Sequence, residues 1–188
     1  MCGIVGYIGE SQAAPVLLDG LSKLEYRGYD SAGIAVYDGE QIQVQKAVGR
    51  LKVLSELTHD GATMPGCSGI GHTRWATHGA PSGANAHPHY NQSETIAVVH
   101  NGIIENYLKL RKRLEEKGYQ FRSDTDTEVV AHLLDRYYKG DPVEAITKIM
   151  HRVEGSYALG IIFKEHPGHI YAVRKDSPLI VGLGEGEN

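Results

Sequence analysis

The order of strand-like and helix-like segments constrains the fold of this chain more than any other feature. Apolar strand-like stretches tend to follow one another, and amphipathic helical stretches are also grouped, as over about 104–153. A parallel sheet would instead require strands that alternate regularly with helices. At 188 residues the chain has the length of one globular domain. We therefore expect a single α+β domain with antiparallel sheets.

Local signals predict several of these segments. Asp38 and Gly39 form a turn dipeptide between two strand-like stretches, which predicts a hairpin. Thr125 and Glu128 have the spacing of a capping box, which predicts the start of a helix. Further predictions are a short helix over about 51–57, an irregular surface segment over 80–94, and final strands near 157–163, 170–173 and 179–181.

Charge and composition argue against several classes of function. The chain has 19 Lys and Arg against 23 Asp and Glu, a formal net charge of −4, and no basic block of the kind that binds nucleic acid. No apolar run approaches the roughly 20 residues that span a bilayer, and the start lacks the basic region of a signal peptide. We therefore expect a cytoplasmic protein with no nucleic-acid or membrane partner.

Cys2 is the first candidate for chemistry. It is far from Cys67 and the two lack CxxC spacing, which disfavours a disulfide or a zinc site. Removal of Met1 would leave a thiol and a free α-amine on one residue. That amine, with an ordinary pKa of about 7.7–8.0, can accept the proton of a thiol whose pKa is about 8.5. A buried apolar cysteine is the commoner alternative, and this motif alone does not decide between the two.

Three further motifs carry groups that fit an amino-acid substrate. Arg74 can hold a carboxylate through two hydrogen bonds, with Trp75 as a wall of the pocket. Asn101 and Gly102 end a buried strand and can donate hydrogen bonds to an oxyanion. Asp126 can bind an ammonium group. Each has a simpler alternative: a surface arginine over a core tryptophan, an Asn-Gly turn, and a carboxylate at a helix start.

The ten histidines raise the question of a metal site. Those in the middle of the chain show neither HxxxH nor HExxH spacing. We therefore expect no metal and no other cofactor. The histidines concerned are His72, His78, His87, His89 and His100.

Taken together, the motifs closely resemble the glutaminase domain of the glutamine–fructose-6-phosphate aminotransferases, a family of class II amidotransferases with an N-terminal nucleophile. YRGYDSAG and TRWATHG are closer to this family than to its purine-pathway, asparagine synthase or glutamate synthase relatives. The resemblance runs from Met1 to Gly184. It rests on CGIVG at 2–6, LEYRGYDSAGIAV at 24–36, GHTRWATHG at 71–79, NAHPH at 85–89, HNGIIENY at 100–107 and SDTDTEVV at 123–130.

The resemblance implies a fold and a set of roles. The fold is the N-terminal nucleophile hydrolase αββα sandwich, with two antiparallel sheets between helical layers. Cys2, with Met1 removed, would attack the side-chain amide of glutamine. The implied oxyanion hole is Asn101 and Gly102, the α-carboxylate binder is Arg74 and the α-ammonium binder is Asp126. Trp75, Thr77 and His78 belong to a loop that closes over glutamine, and Arg27 and His87 are supporting residues of the pocket.

The resemblance also implies partners. In the family this domain continues beyond the point where the present sequence stops, and sugar-phosphate isomerase domains follow in the same chain. We therefore expect 1–188 to be a shortened glutaminase domain that supplies ammonia from L-glutamine for the conversion of fructose 6-phosphate to glucosamine 6-phosphate in a homo-oligomeric full-length enzyme. With Met1 attached it should be inactive. A rival hypothesis is a binding or regulatory module without chemistry; a self-processing peptidase is disfavoured because only Met1 precedes Cys2.

Overall fold

Two four-stranded antiparallel sheets form the centre of the molecule. The computed structural model describes residues 2–75 and 79–188, apart from the Arg27 side chain. In these ranges the strands are β1 (Gly3–Ile8), β2 (Ser31–Tyr37), β3 (Ile42–Val48), β4 (Ser68–Arg74), β5 (His89–Tyr90), β6 (Ile96–Gly102), β7 (Tyr157–Phe163) and β8 (Tyr171–Lys175). The helices are α1 (Ala13–Ser22), α2 (Leu51–Leu57), α3 (Tyr107–Glu115), α4 (Glu128–Tyr137) and α5 (Pro142–Met150), with a 3-10 turn at Glu25–Arg27.

The first sheet has the strand order β1-β4-β2-β3. The predicted hairpin is confirmed: β2 and β3 pair antiparallel, and the Asp38 carboxylate accepts hydrogen bonds at 2.8 Å from the N–H groups of Glu40 and Gln41. In the register between β1 and β4, Gly3 lies opposite Thr73. This register brings the residue before β1 next to the end of β4, so that two distant sequence motifs meet there.

The second sheet has the order β5-β6-β7-β8 and packs against the first through β6 and β7, which contact β1 and β4. Leu17 and Leu21 of α1 are buried against the first sheet, as their helical spacing predicts. Ile70, Val99 and Ile162 fill the space between the sheets. Helices α3, α4 and α5 cover the outer face of the second sheet. The layers therefore follow the order expected for the αββα sandwich, and the predicted α+β class is confirmed.

The stretch 80–94 differs from the expected surface segment. Its backbone is mostly irregular, as its turn-forming composition predicts, but Asn85, His87 and His89 are each less than a tenth exposed. The segment passes over the first sheet at Gly33, where a Cβ atom would collide with the carbonyl oxygen of His87. Burial here depends on a glycine in a distant strand, which composition within the segment does not reveal.

The helix predicted at this point is confirmed as α4, but the predicted capping box is wrong. Helix α4 has Thr127 as its N-cap and no side-chain capping bond. The carboxylate of Glu128 instead accepts hydrogen bonds at 2.8 Å from the N–H groups of Arg122 and Ser123, before the helix. Thr125 points away from the helix end, because its hydroxyl contacts a buried histidine described below.

The predicted strand at 179–181 is also wrong. This stretch is irregular, and Ile180 is 93% exposed. An apolar run forms a strand only where a neighbouring strand can pair with its backbone, and among the described residues none lies beside it. The chain returns to the first sheet at Asn188, which exchanges backbone hydrogen bonds of 2.9 and 2.8 Å with Ile8.

Candidate active site

Cys2 lies between the ends of the two sheets, half-buried. Its Sγ is 3.3 Å from the backbone nitrogen of Trp75, which donates a hydrogen bond to it, and 3.6 Å from the Trp75 carbonyl oxygen. Burial raises the pKa of the Cys2 thiol above its ordinary value, and the Trp75 N–H opposes part of that rise because it stabilises the thiolate. The thiol is therefore protonated at neutral pH, and a reaction at sulfur requires a base.

Asn101 reaches the same place from the second sheet. Its Nδ2 donates a hydrogen bond to the backbone oxygen of Cys2 at 3.3 Å. The next residue, Gly102, has a φ of 138°, and a Cβ atom there would collide with the carbonyl oxygen of Ser156. Only glycine fits this conformation and this close approach of two chains. The structure therefore brings the predicted nucleophile and the predicted amide donor together.

Arg74 is the last residue of β4 and directly precedes Trp75. Its side chain is 3% exposed. Nη2 donates a hydrogen bond to the Gly79 carbonyl oxygen at 3.0 Å, and Nη1 lies 3.9 Å from the Asp30 carboxylate. The hydrogen bond and the neighbouring carboxylate restrain the orientation of the buried guanidinium. The arginine is therefore a core residue at the edge of the site and not a surface residue.

Asp126 is buried just before α4. Its Oδ2 accepts a hydrogen bond from the Ile104 N–H at 2.8 Å and lies 4.0 Å from Nδ1 of His100. Ile104 and His100 flank Asn101 and Gly102 in sequence. The carboxylate is therefore tied to the strand end that carries the predicted oxyanion donors, and it does not serve as a helix cap.

A cleft of about 410 Å³ opens beside Cys2 between β1 and β7. Its lining is mainly apolar and includes Cys2, Asn101, Leu24, Ala158 and Ile170. Arg74 and Asp126 do not line it. A larger cavity of about 680 Å³ lies between α3 and α4. None of the predicted site residues lines this second cavity.

The remaining predicted residues divide into two groups. Trp75 is 46% exposed, and its ring meets that of Tyr29 edge-on at a centroid distance of 5.4 Å. His87 is buried, and its ring stacks on that of His72 at a centroid distance of 4.2 Å. Thr77, His78 and the side chain of Arg27 lie outside the described part of the structure.

The buried histidines form one cluster. His87 contacts His72 by stacking and His89 edge-on at 4.6 Å. Burial lowers the pKa of His72 to about 3, and burial, with added repulsion from Lys46, holds the pKa values of His87 and His89 well below their usual range. In the described ranges no three His, Cys, Asp or Glu side chains are grouped so that they could hold a metal ion. These rings are neutral, hydrogen-bonded core groups.

Sequence reasoning missed several contributors to the site. Asp30, the partner of Arg74, lies in a motif that the sequence highlighted, but its contact depends on the pairing of β2 with β4. The main-chain groups of Trp75 and Ile104 carry no side-chain signal at all.

None of the helices that the structure describes is long and apolar enough to cross a membrane.

A family profile described as a glutamine amidotransferase domain matches residues 72–186, more than half of the chain. The chain belongs to this glutamine amidotransferase family. Curated relatives named glutamine–fructose-6-phosphate aminotransferase (isomerizing) match all of it. The protein of Caldanaerobacter subterraneus subsp. tengcongensis is 64% identical over 188 residues, and that of Clostridium tetani is 60% identical over 187.

The amidotransferase chain spans only about 31% of the length of these curated relatives. Among solved structures, the glutamine phosphoribosylpyrophosphate amidotransferase of B. subtilis superposes with a TM-score of 0.76 and 29% identity, over 87% of this chain and 35% of the other. A glutamine aminotransferase class-II domain protein from Silicibacter pomeroyi has a TM-score of 0.62 at 18% identity, covering 96% of this chain and 79% of the other, and supports the fold alone.

Proposed function

We propose that this domain hydrolyses the side-chain amide of L-glutamine, with Cys2 as the nucleophile after removal of Met1. The observation that carries the proposal is the meeting of Cys2 Sγ, the Trp75 N–H and the Asn101 amide at the junction of the two sheets. Family membership and the names of the curated relatives support glutamine as the substrate. In the longer relatives, the ammonia would serve the conversion of fructose 6-phosphate.

The reaction begins with attack of Cys2 Sγ on the amide carbon of the glutamine side chain. The thiol proton passes to the α-amine of Cys2, which acts as the base that the raised thiol pKa requires. The oxyanion of the tetrahedral intermediate accepts hydrogen bonds from Asn101 and from the backbone N–H of Gly102. Collapse breaks the C–N bond, the amine returns the proton to the leaving nitrogen, and ammonia departs. Water then hydrolyses the γ-glutamyl thioester to glutamate.

Two buried charges would bind the remainder of glutamine. Arg74 holds the α-carboxylate, and Asp126 holds the α-ammonium group. Both charges are fixed by protein contacts before substrate arrives, Arg74 by Asp30 and Gly79, and Asp126 by Ile104. Preorganised charges of this kind bind substrate without paying for their own ordering. Thr77 and His78 complete the proposed binding loop, with Arg27 and His87 as supporting residues.

We further propose that residues 1–188 form the glutaminase part of a longer, homo-oligomeric chain. The curated relatives are about three times as long as this domain, which supports further domains after it. Those domains would be the sugar-phosphate isomerase part that consumes the ammonia.

Covalent labelling tests the function directly. Protein whose intact mass shows that Met1 is absent is incubated with diazo-oxo-norleucine, a glutamine-like electrophile, and the labelled peptide is identified by mass spectrometry. We expect one adduct, on Cys2, and protection by glutamine. Exposed Cys67 is an internal control for general thiol reactivity. Labelling of Cys67 without Cys2, or no labelling, contradicts the proposal.

Replacement of Asn101 tests the oxyanion assignment. Asn101→Ala should lower kcat for glutamine hydrolysis by roughly 10²- to 10³-fold and leave KM within a few-fold, because the donor acts mainly in the transition state. Asn106→Ala is the matched control. Its side chain contacts the Arg152 carbonyl oxygen and the Glu154 N–H, and it does not line the cleft beside Cys2. Equal effects of the two changes on kcat would argue against an oxyanion role for Asn101.

A further inference from the structure

One hydroxyl group joins two buried histidines beside the site. Thr127, the residue after Asp126, is fully buried. Its Oγ1 lies 2.8 Å from Nε2 of His87 and 2.8 Å from Nδ1 of His100. The three groups come from three separate parts of the chain: the start of α4, the segment before β5, and β6. The Thr127 hydroxyl therefore links these three parts of the chain through hydrogen bonds.

The number of protons at this point constrains both rings. A threonine hydroxyl carries one proton, so it can donate to one ring nitrogen only and must accept a hydrogen bond from the other. The two ring nitrogens that face Thr127, Nε2 of His87 and Nδ1 of His100, are therefore in opposite states: one carries hydrogen and the other does not. His72 Nε2 lies 2.8 Å from the His100 carbonyl oxygen, which only accepts, so this nitrogen carries hydrogen.

The bridge ends at the groups that the proposed function assigns to substrate. His100 directly precedes Asn101, and its Nδ1 is 4.0 Å from Oδ2 of Asp126. The same carboxylate oxygen accepts from the Ile104 N–H. Asp126 is thus held between Ile104 on one side and, through the neighbouring Thr127, the His100 ring on the other.

We propose that Thr127 is a positioning residue for the Asp126 carboxylate, and that its two-histidine bridge determines how tightly the site binds the α-ammonium group of an amino-acid substrate. The inference rests on the proposed function, since it takes Asp126 as the ammonium binder. Thr127 itself touches no substrate in this assignment. Its effect passes through the orientation of Asp126, while Cys2 and its contacts with Trp75 remain as they are.

The test compares glutamine with its analogue that lacks the α-amino group, using the full-length protein. Thr127→Val keeps the shape of the side chain and removes the hydroxyl. We expect KM for glutamine to rise about 10-fold or more with kcat within about 3-fold, because the interaction lost is made equally in the ground and transition states. The kcat/KM for the des-amino analogue should stay within about 3-fold. Thr127→Ser retains the hydroxyl and should restore KM for glutamine.

Thr125→Val is the matched control. Thr125 is equally buried, lies on the other side of Asp126, and contacts only one ring, Nε2 of His89, at 3.0 Å. It should leave the preference for glutamine over the des-amino analogue unchanged. Nitrogen-15 NMR of the histidine rings supplies a second readout: opposite protonation of His87 Nε2 and His100 Nδ1 in the parent and in Thr127→Ser, and loss of that pattern in Thr127→Val.

Several results would overturn the inference. Equal loss of activity toward both substrates in Thr127→Val indicates a structural role only, as does the same change of preference in Thr125→Val. If Thr127→Val does not fold, Thr127→Ala, which also lacks the hydroxyl, takes its place with the same expectation. Asp126→Asn separates the role of Asp126 from that of Thr127. If KM for glutamine is unchanged in Asp126→Asn, the ammonium-binding role of Asp126 is itself refuted. A raised KM in Asp126→Asn with unchanged KM in Thr127→Val refutes the Thr127 inference alone.

Discussion

Replacing Cys2 with alanine should lower kcat for glutamine hydrolysis by roughly 10⁴-fold or more, because no other nucleophile can form the thioester. Cys2 Sγ is the only side-chain thiol of the described structure at the junction of the sheets; the other cysteine, Cys67, is exposed, and its sulfur lies 3.7 Å from the Glu10 carbonyl oxygen. The variant should still bind glutamine, and its Kd can be measured directly because no turnover occurs. The assay is ammonia release under saturating glutamine.

Two controls sharpen this prediction. Cys67→Ala removes a thiol outside the site and should leave kcat within about twofold. A form that retains Met1, verified by intact mass, has an amide in place of the α-amine and therefore lacks the base that the buried thiol needs. It should be as inactive as Cys2→Ala. Full activity with Met1 attached would show that another group accepts the thiol proton.

The second large effect concerns stability in mild acid. His72, His87 and His89 are buried as neutral rings with lowered pKa, about 3 for His72. In the unfolded chain each binds a proton below about pH 6.5, whereas in the folded chain it does not. The unfolded state thus takes up more protons, so the stability present above pH 6.5 is lost as pH falls. Each ring contributes about 1.4 kcal/mol per pH unit once its unfolded form is protonated.

The loss of folding stability summed over the three rings is about 3–6 kcal/mol between pH 7 and pH 5, a large part of the roughly 5–15 kcal/mol that stabilises a typical domain.

Neighbouring charged groups affect the protonation of these rings in both directions. Lys46 opposes protonation of His87 and His89, Arg74 opposes that of His72 and His89, and Glu128 favours that of His89. The net result is steep acid unfolding that begins above the pKa of any carboxylate.

Urea unfolding at pH 7.5, 6.5, 5.5 and 5.0 measures the effect as a falling free energy of unfolding. Calorimetric unfolding at pH 5.5 in buffers of different ionisation enthalpy counts the protons taken up, with about three expected from this cluster. Stability that is flat from pH 7 to pH 5, or uptake near zero, would mean that the rings are charged or exposed in the folded state.

Some elements of the fold depend on local sequence signals, and others depend on long-range contacts. The helix at 51–57, the hairpin at Asp38 and the strand at 157–163 were predictable because helical spacing, turn residues and continuous apolar runs act within a few residues. The prediction of a strand at 179–181 was wrong because a strand needs a neighbouring strand with which its backbone can pair. The burial of 85–89 was missed because it depends on Gly33 in another strand.

The candidate site divides in the same way. Cys2, Arg74, Asn101, Gly102 and Asp126 could be chosen from sequence because each carries a group with distinctive chemistry inside a recognisable motif. The contacts that hold them could not: Arg74 with Asp30, Asp126 with the Ile104 N–H, and Thr127 with two histidines. These contacts join residues far apart in the chain, and several use main-chain groups that every residue possesses.

The amino-acid sequence by itself determined the α+β class and the family, and it supplied the candidate reactive groups, because periodicity and side-chain chemistry are local properties. Only the tertiary structure decided which groups lie together. The pairing of β1 with β4 places Cys2 beside Trp75, the packing of the sheets brings Asn101 to Cys2, and burial neutralises the histidines. Distances and desolvation depend on how distant segments pack, and no short stretch of sequence contains that information.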